Sequence, residues 1–148
     1  IFGGDILKIR DIMSRQVASL NTDDSVERAA QLMKDYNVGS IPICTNNSIV
    51  GIVTDRDIAL RTVASGDDGA RQVKDVMTAN PVVGTPDMDV HDAVRIMSEK
   101  QIRRLPIVEN NNLVGMVSLG DISVEPKLQD NAEIALKNIS KPTANRFS

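Results

Sequence analysis

Hydrophobic positions along the chain alternate between two periods, and they do so twice in the same order. Val26, Ala29, Ala30 and Met33 recur at i, i+3, i+4 and i+7, with Glu27, Arg28, Gln31, Lys34 and Asp35 between them. This spacing predicts a helix with one buried face that runs to about Tyr36. Asn21, Thr22, Asp23 and Asp24 supply side-chain oxygens for its orphan amides, and Asn37 or Gly39 can stop it in a left-handed conformation. Ser40 to Cys44 and Ile49 to Val53 are short apolar runs around Asn46-Asn47, which reads as a β-hairpin. Helical spacing returns over Asp55 to Ala64 through Ile58, Ala59 and Val63 and stops at Ser65-Gly66. Upstream, Ile9, Ile12 and Met13 share one face of a short helical turn over Lys8 to Ser14, expected to close the first half-domain, and Val17 to Leu20 reads as a strand.

The whole pattern then repeats sixty-four residues later without a gap. Asp11, Met13, Val26, Ala29, Met33, Pro42, Asn46, Asn47, Gly51 and Asp57 recur as Asp75, Met77, Val90, Ala93, Met97, Pro106, Asn110, Asn111, Gly115 and Asp121. The second copy predicts a turn over Val73 to Thr78, a strand around Val82-Val83, a helix from about Asp87 to Lys100, strands near Leu105 to Val108 and Leu113 to Val117, and a helix opened by Ser118. Two copies of this length fit paired half-domains better than an open array. The expected fold is α+β, two β-α-β-β-α repeats about a pseudo-twofold axis. The repeats span 8–66 and 74–125, joined by a linker over 67–73. A C-terminal helix and tail follow over 126–148, with Pro126 interrupting the helix that Ser118 opens and a further helix over Asp130 to Asn138.

Composition changes this picture little. The chain has 148 residues, 41% apolar and 25% charged, which suits one domain with a real core. A formal charge of −3 leaves no electrostatic footprint for nucleic acid or an anionic membrane surface. The single cysteine, Cys44, excludes an intramolecular disulfide and reads as a buried, inert thiol. No run approaches the ~20 apolar residues of a membrane span, and the start IFGGDILK is too short and acidic for a signal peptide. A cytoplasmic setting is the default expectation. The Gly3-Gly4 pair and the missing initiator methionine suggest a cut or appended start.

Candidate chemistry concentrates at a few repeated positions. The paired asparagines read as turn residues, since asparagine tolerates positive φ. Pro42 and Pro106 lack a donor and are expected at a strand start or edge. Thr54-x-x-Asp57 and Ser118-x-x-Asp121 each follow an apolar strand and open a helix. They can cap that helix, or the hydroxyl can serve a phosphate and the carboxylate a sugar diol, and the two roles are compatible. Arg103-Arg104 precedes Leu105-Pro106 where the first copy has Gly39-Ser40, as a surface pair or as forked phosphate donors. His91 has no second histidine to join it, so neither a metal nor a general-base role is expected. Met13, Met33, Met77 and Met97 fall at core spacing. No nucleophile triad, metal-ligand spacing or glycine-rich phosphate loop is present, so the expected function is not enzymatic.

The stretches SIPICTNNSIVGIVTDRDI and RRLPIVENNNLVGMVSLGDI, with DIM near the start of the first half and DVM near the start of the second, resemble a tandem pair of CBS domains, the module named for cystathionine β-synthase. Small bacterial CBS-pair proteins carrying TDRDI and IRRLPIV are the nearest likeness. The resemblance implies two clefts between the repeats that bind adenosine-containing ligands, with no cofactor required. One set would comprise Thr54, Arg56 and Asp57 with Met77, Thr78, Val82, Ile102, Arg103 and Arg104. The other would comprise Ser118 and Asp121 with Met13, Ser14, Ala18, Val38, Gly39 and Ser40. Asp57 and Asp121 would hold ribose, Thr54 and Ser118 the phosphate side, and aliphatic residues the adenine. On this assignment the first set, which includes the arginines, binds phosphate more tightly, and the second is empty, weaker or suited to a ligand with less charge. The implied function is a regulatory sensor of AMP, ADP or ATP that forms a homodimer through apolar helix faces around Ile58 and Ile122 and acts on a partner protein. S-adenosylmethionine or NAD as ligand, and a ligand-free interaction or dimerisation module, are the alternatives.

Overall fold

The computed structural model describes residues 7–66, 69–124 and 137–139. In chain order they form α1 (Ile9–Ile12), β1 (Leu20–Asn21), α2 (Val26–Tyr36), β2 (Ser40–Thr45), β3 (Ser48–Thr54) and α3 (Asp55–Ile58), which continues as a π-helical stretch (Ala59–Val63). A 3-10 turn (Val73–Asp75), β4 (Thr78–Ala79), α4 (Val90–Lys100), β5 (Arg104–Glu109), β6 (Asn112–Ser118) and α5 (Leu119–Ser123) follow. The helix expected over Asp130 to Asn138 and the break at Pro126 lie outside the described residues, apart from helical residues 137–139. There Asn138 Nδ2 donates to Ser98 Oγ at 2.6 Å and Ile139 is buried.

The chain gathers into two compact units, and neither is one sequence repeat. The first holds Gln16–Val82 with Val108–Val114; the second holds residues 7–15, 83–107, 115–124 and 137–139. The helical turn expected to close the first half-domain therefore sits in the unit of the second repeat. Ile9 N donates to Met88 O at 2.9 Å, Arg10 N to Pro86 O at 3.0 Å, and Val90 N to Leu7 O at 3.0 Å. The corresponding segment of the second repeat docks on the first in the same register. Val73 N donates to Asp24 O at 2.8 Å, Lys74 N to Thr22 O at 3.3 Å, and Val26 N to Arg71 O at 2.7 Å. Each repeat thus lends its leading segment to the other, and the first amide of α2 and of α4 finds an acceptor there that its own helix cannot supply.

In the first unit the sheet order is β1-β2-β3-β4, with β1 parallel to β2, β2 antiparallel to β3, and β4 of the second repeat antiparallel to β3. Leu20, Val26, Ala29, Leu32, Met33, Ile41, Ile43, Val53, Val73 and Val76 form its core. Leu32 takes the place expected for Ala30, which is exposed, because the buried stripe of α2 follows Val26, Ala29 and Met33 to the other side. In the second unit β5 pairs with β6, and bridges from Ser14 to Met116 and from Gly84 to Ile107 repeat the β4 and β1 contacts of the first.

Several boundaries differ from the sequence expectation. The first strand is confined to Leu20–Asn21 instead of running from Val17 to Leu20, because only these two residues pair with β2. The expected Val82-Val83 strand is replaced by β4 at Thr78–Ala79 and the bridge at Gly84. Helix caps are Ser25, whose side chain accepts from Arg28 N, and Asp89, whose side chain accepts from His91 N. Both helices end in a left-handed residue, Asn37 at φ 54 and Gln101 at φ 56. Pro42 lies within β2, a strand flanked on both sides, rather than on an edge. It is tolerated because parallel pairing with β1 begins only at Ile43, so no ladder partner requires its missing donor.

Candidate functional site

Hairpin geometry assembles each site. The turns Asn46-Asn47 and Asn110-Asn111 all have positive φ, between 50° and 69°, which folds the strands back on each other with a two-residue connection. The start of β2 therefore faces the end of β3, with Ser40 opposite Thr54. Asp55 N donates to Gly39 O at 3.0 Å, and in the second unit Leu119 N donates to Arg103 O at 3.0 Å. The residues before each proline thus lie beside the T/S-x-x-D of their own hairpin.

Both motifs close reciprocal caps. Thr54 N donates to Asp57 Oδ2 at 3.0 Å and Asp57 N to Thr54 Oγ1 at 3.0 Å; Ser118 N donates to Asp121 Oδ2 at 3.0 Å and Asp121 N to Ser118 Oγ at 3.1 Å. Each hydroxyl accepts within the cap and keeps its own proton for another acceptor. Each carboxylate keeps Oδ1 outside the cap.

The lent segments complete each site. Thr78 pairs with Ile52 next to Gly51, over which Met77 passes. In the second unit Ser14 N donates to Met116 O at 2.8 Å and Met116 N to Ser14 O at 2.9 Å, while Met13 passes over Gly115. The strand that leads into each motif therefore pairs with the leading segment of the opposite repeat. Arg103 and Arg104 lie in the unit of Ser118 and Asp121, with Ile102, Met13 and Ser14; Val38, Gly39, Ser40 and Ala18 lie in the unit of Thr54, Arg56, Asp57, Met77, Thr78 and Val82. A tight hairpin fixes this, because its two outer ends are neighbours.

Electrostatics differ between the junctions. Arg104 is half-buried; desolvation pulls its pKa down, and the nearby Asp121 carboxylate opposes the shift by favouring the charged form. Asp57 is buried and faces a different arginine, Arg61, whose Nε is 3.8 Å from Asp57 Oδ1. Arg61 Nη1 also donates to Val76 O at 3.1 Å and Met77 O at 3.4 Å, so this guanidinium ties the aspartate to the lent segment. Sequence reasoning misses Arg61, although its i, i+4 spacing from Asp57 is a signal. His91 is exposed, and among the described residues no three His, Cys, Asp or Glu side chains group as a metal site requires.

Comparison with known proteins places this arrangement. The CBS domain model matches residues 9–62 and 73–125. The CBS domain-containing protein YhcV of Bacillus subtilis is 48% identical over 132 residues, covering 89% of this chain and 94% of that protein. Among solved structures, Hypoxic Response Protein I with two coordinated zinc ions is 28% identical with a TM-score of 0.74, covering 80% of this chain and 98% of that one. The CBS domain pair of MJ0100 in complex with 5′-methylthioadenosine and S-adenosyl-L-methionine is 28% identical with a TM-score of 0.72, covering 80% and 94%. Matched twice along its length and folded as those pairs are, the chain belongs to the CBS-domain family as a tandem CBS pair.

Proposed function

We propose that this CBS pair is a regulatory sensor that binds adenine nucleotides (AMP, ADP or ATP) and passes their occupancy to a partner protein or to its own dimer, with no catalytic step. The observation that carries this reading is Arg104 beside Asp121, at a junction completed by Met13 and Ser14. In this site Asp121 Oδ1 accepts from a ribose hydroxyl, the Ser118 hydroxyl donates to phosphate, and Arg103 and Arg104 add charged donors. Ile102 and Met13 offer aliphatic contact to the base. The equivalent set is Thr54, Arg56 and Asp57 with Met77, Thr78, Val82, Ala18, Val38, Gly39 and Ser40. The adenosyl ligands of the MJ0100 pair support the ligand class.

Thermal unfolding with AMP, ADP, ATP, NAD and S-adenosylmethionine tests it, since a ligand at 100 times its Kd adds about 2.7 kcal/mol. Stabilisation by a nucleotide that is lost in Asp121→Ala is the expected result; no stabilisation by any of the five removes the proposal.

A ligand-free dimerisation module is favoured by one observation: the hydroxyl and one carboxylate oxygen of each motif are already engaged in a cap. On that reading Asp57→Ala costs a cap, about 0.5–2 kcal/mol, and no nucleotide stabilises the wild type. A homodimer forms part of both readings. Ile122 is fully buried and Ile58 packs on the core, so the faces expected there are instead presented by Leu60, Val63 and Val124, at 53%, 69% and 73% exposure. A monomeric mass in light scattering removes the dimer. A cytoplasmic setting, which suits the unpaired thiol of Cys44, belongs to the same proposal.

A further inference from the structure

Three pairs of equivalent positions make the second junction more basic than the first, and one, Arg56 against Gly120, works the other way. Where the first hairpin has Gly39, Ser40 and Asp55, the second has Arg103, Arg104 and Leu119. The Asp55 carboxylate stands over Gly39, with Oδ2 3.2 Å from where a Cβ on that glycine would lie. It is held there from two sides: the Asp55 amide donates to Gly39 O, and Asp55 Oδ1 accepts from Arg56 N at 2.8 Å. Arg61, the arginine nearest Asp57, is committed to the carbonyls of Val76 and Met77. At the first junction the Asp55 carboxylate therefore stands against the pre-proline backbone, whereas at the second Leu119 replaces Asp55 and the half-buried Arg104 lies in the field of the Asp121 carboxylate.

We propose that the two sites divide adenosine ligands by charge: the Ser118–Asp121 site takes a phosphate-bearing nucleotide, and the Thr54–Asp57 site takes a nucleoside whose 5′ substituent is neutral or cationic. A phosphate at the first junction would approach the Asp55 carboxylate, a like-charge contact. A neutral group avoids that repulsion, and a cationic one offsets the Asp55 charge. This inference rests on the nucleotide-sensor reading above and reverses the order of phosphate affinity that the sequence assignment implies.

Isothermal titration of the full chain with adenosine, AMP and ATP tests it, using Asp57→Asn to leave the second site and Asp121→Asn to leave the first. Asparagine keeps an acceptor for the cap amide, and circular dichroism checks that both variants fold. With Asp57→Asn, affinity is expected to rise at least about tenfold from adenosine to ATP and to weaken with added salt. With Asp121→Asn, adenosine is expected to bind at least as tightly as ATP, and adding Asp55→Leu is expected to raise AMP affinity. The same ligand order in both variants overturns the division while leaving the sensor reading intact. If the wild type binds none of the three, the sensor reading fails and this inference fails with it.

Discussion

Met77 lies so close over Gly51 that a Cβ on the glycine would stand 3.0 Å from Met77 Cγ and 3.0 Å from the Thr78 carbonyl oxygen. Met13 stands in the same relation to Gly115, with the Ser14 carbonyl oxygen at 3.0 Å. The glycine of each V-G-x-V strand is thus the seat for a methionine lent by the other repeat. Gly51→Ala and Gly115→Ala are each expected to destabilise by about 1–3 kcal/mol, the range for overpacking a close contact. Urea unfolding measures this. Combining Gly51→Ala with Met77→Ala should not restore stability, because the Thr78 carbonyl still blocks the added methyl.

Removing a cap hydroxyl isolates its structural share. Thr54→Ala and Ser118→Ala are each expected to cost about 0.5–2 kcal/mol, and Thr54→Ser close to nothing, because serine accepts from the same amide. Denaturation midpoints without ligand give these values. Equal stability of Thr54→Ala and wild type would show that the Asp57 amide does not depend on the hydroxyl.

Turn chemistry predicts a residue-specific cost at Asn47, whose φ is 69°. Asn47→Val is expected to lose about 1–2 kcal/mol and Asn47→Gly little or nothing, since glycine has no Cβ to strain in that region. Both retain the backbone carbonyl of position 47, which accepts from Leu113 N at 2.9 Å. Matching urea midpoints for the valine and glycine variants would contradict the assignment.

Burial pushes the Cys44 thiol up, and a hydrogen bond with Ser19 only partly opposes the shift. The folded thiol therefore stays protonated at a pH where the unfolded one has begun to ionise. Above the ordinary thiol range the unfolded chain binds fewer protons than the folded chain, so this group lowers stability as pH rises and has no effect at neutral pH. Cys44→Ala removes that alkaline dependence. Modification by a thiol-specific disulfide reagent at pH 8 should be slow in the native protein and fast in denaturant.

Much of the fold is legible in local chemistry. Val26, Ala29 and Met33 mark the buried side of α2, the paired asparagines mark both hairpin turns, and Thr54-x-x-Asp57 marks the strand-to-helix junction. The hairpin also contains the information that Arg104 lies near Ser118, since a two-residue turn makes the strand ends neighbours. The family likeness implies a cleft that groups Arg103 and Arg104 with Asp57, whereas within its own hairpin Arg104 belongs to the unit of Ser118. Arg61 is hidden by its place in an ordinary amphipathic helix.

The chain alone determined its main helices and hairpins, the asparagine turns, the Thr54-x-x-Asp57 and Ser118-x-x-Asp121 caps and its division into two equivalent repeats, because those depend on contacts within a few residues and on a repeated pattern. Folding alone decided which repeat each leading segment would join. Each repeat carries both a methionine in its leading segment, Met13 or Met77, and a glycine in its V-G-x-V strand, Gly51 or Gly115, so duplication makes the two choices alike in sequence. Only the tertiary structure, in which Ser14 bonds Met116 and Thr78 pairs with Ile52, selects one partner for each segment, because that choice depends on contacts distant in sequence.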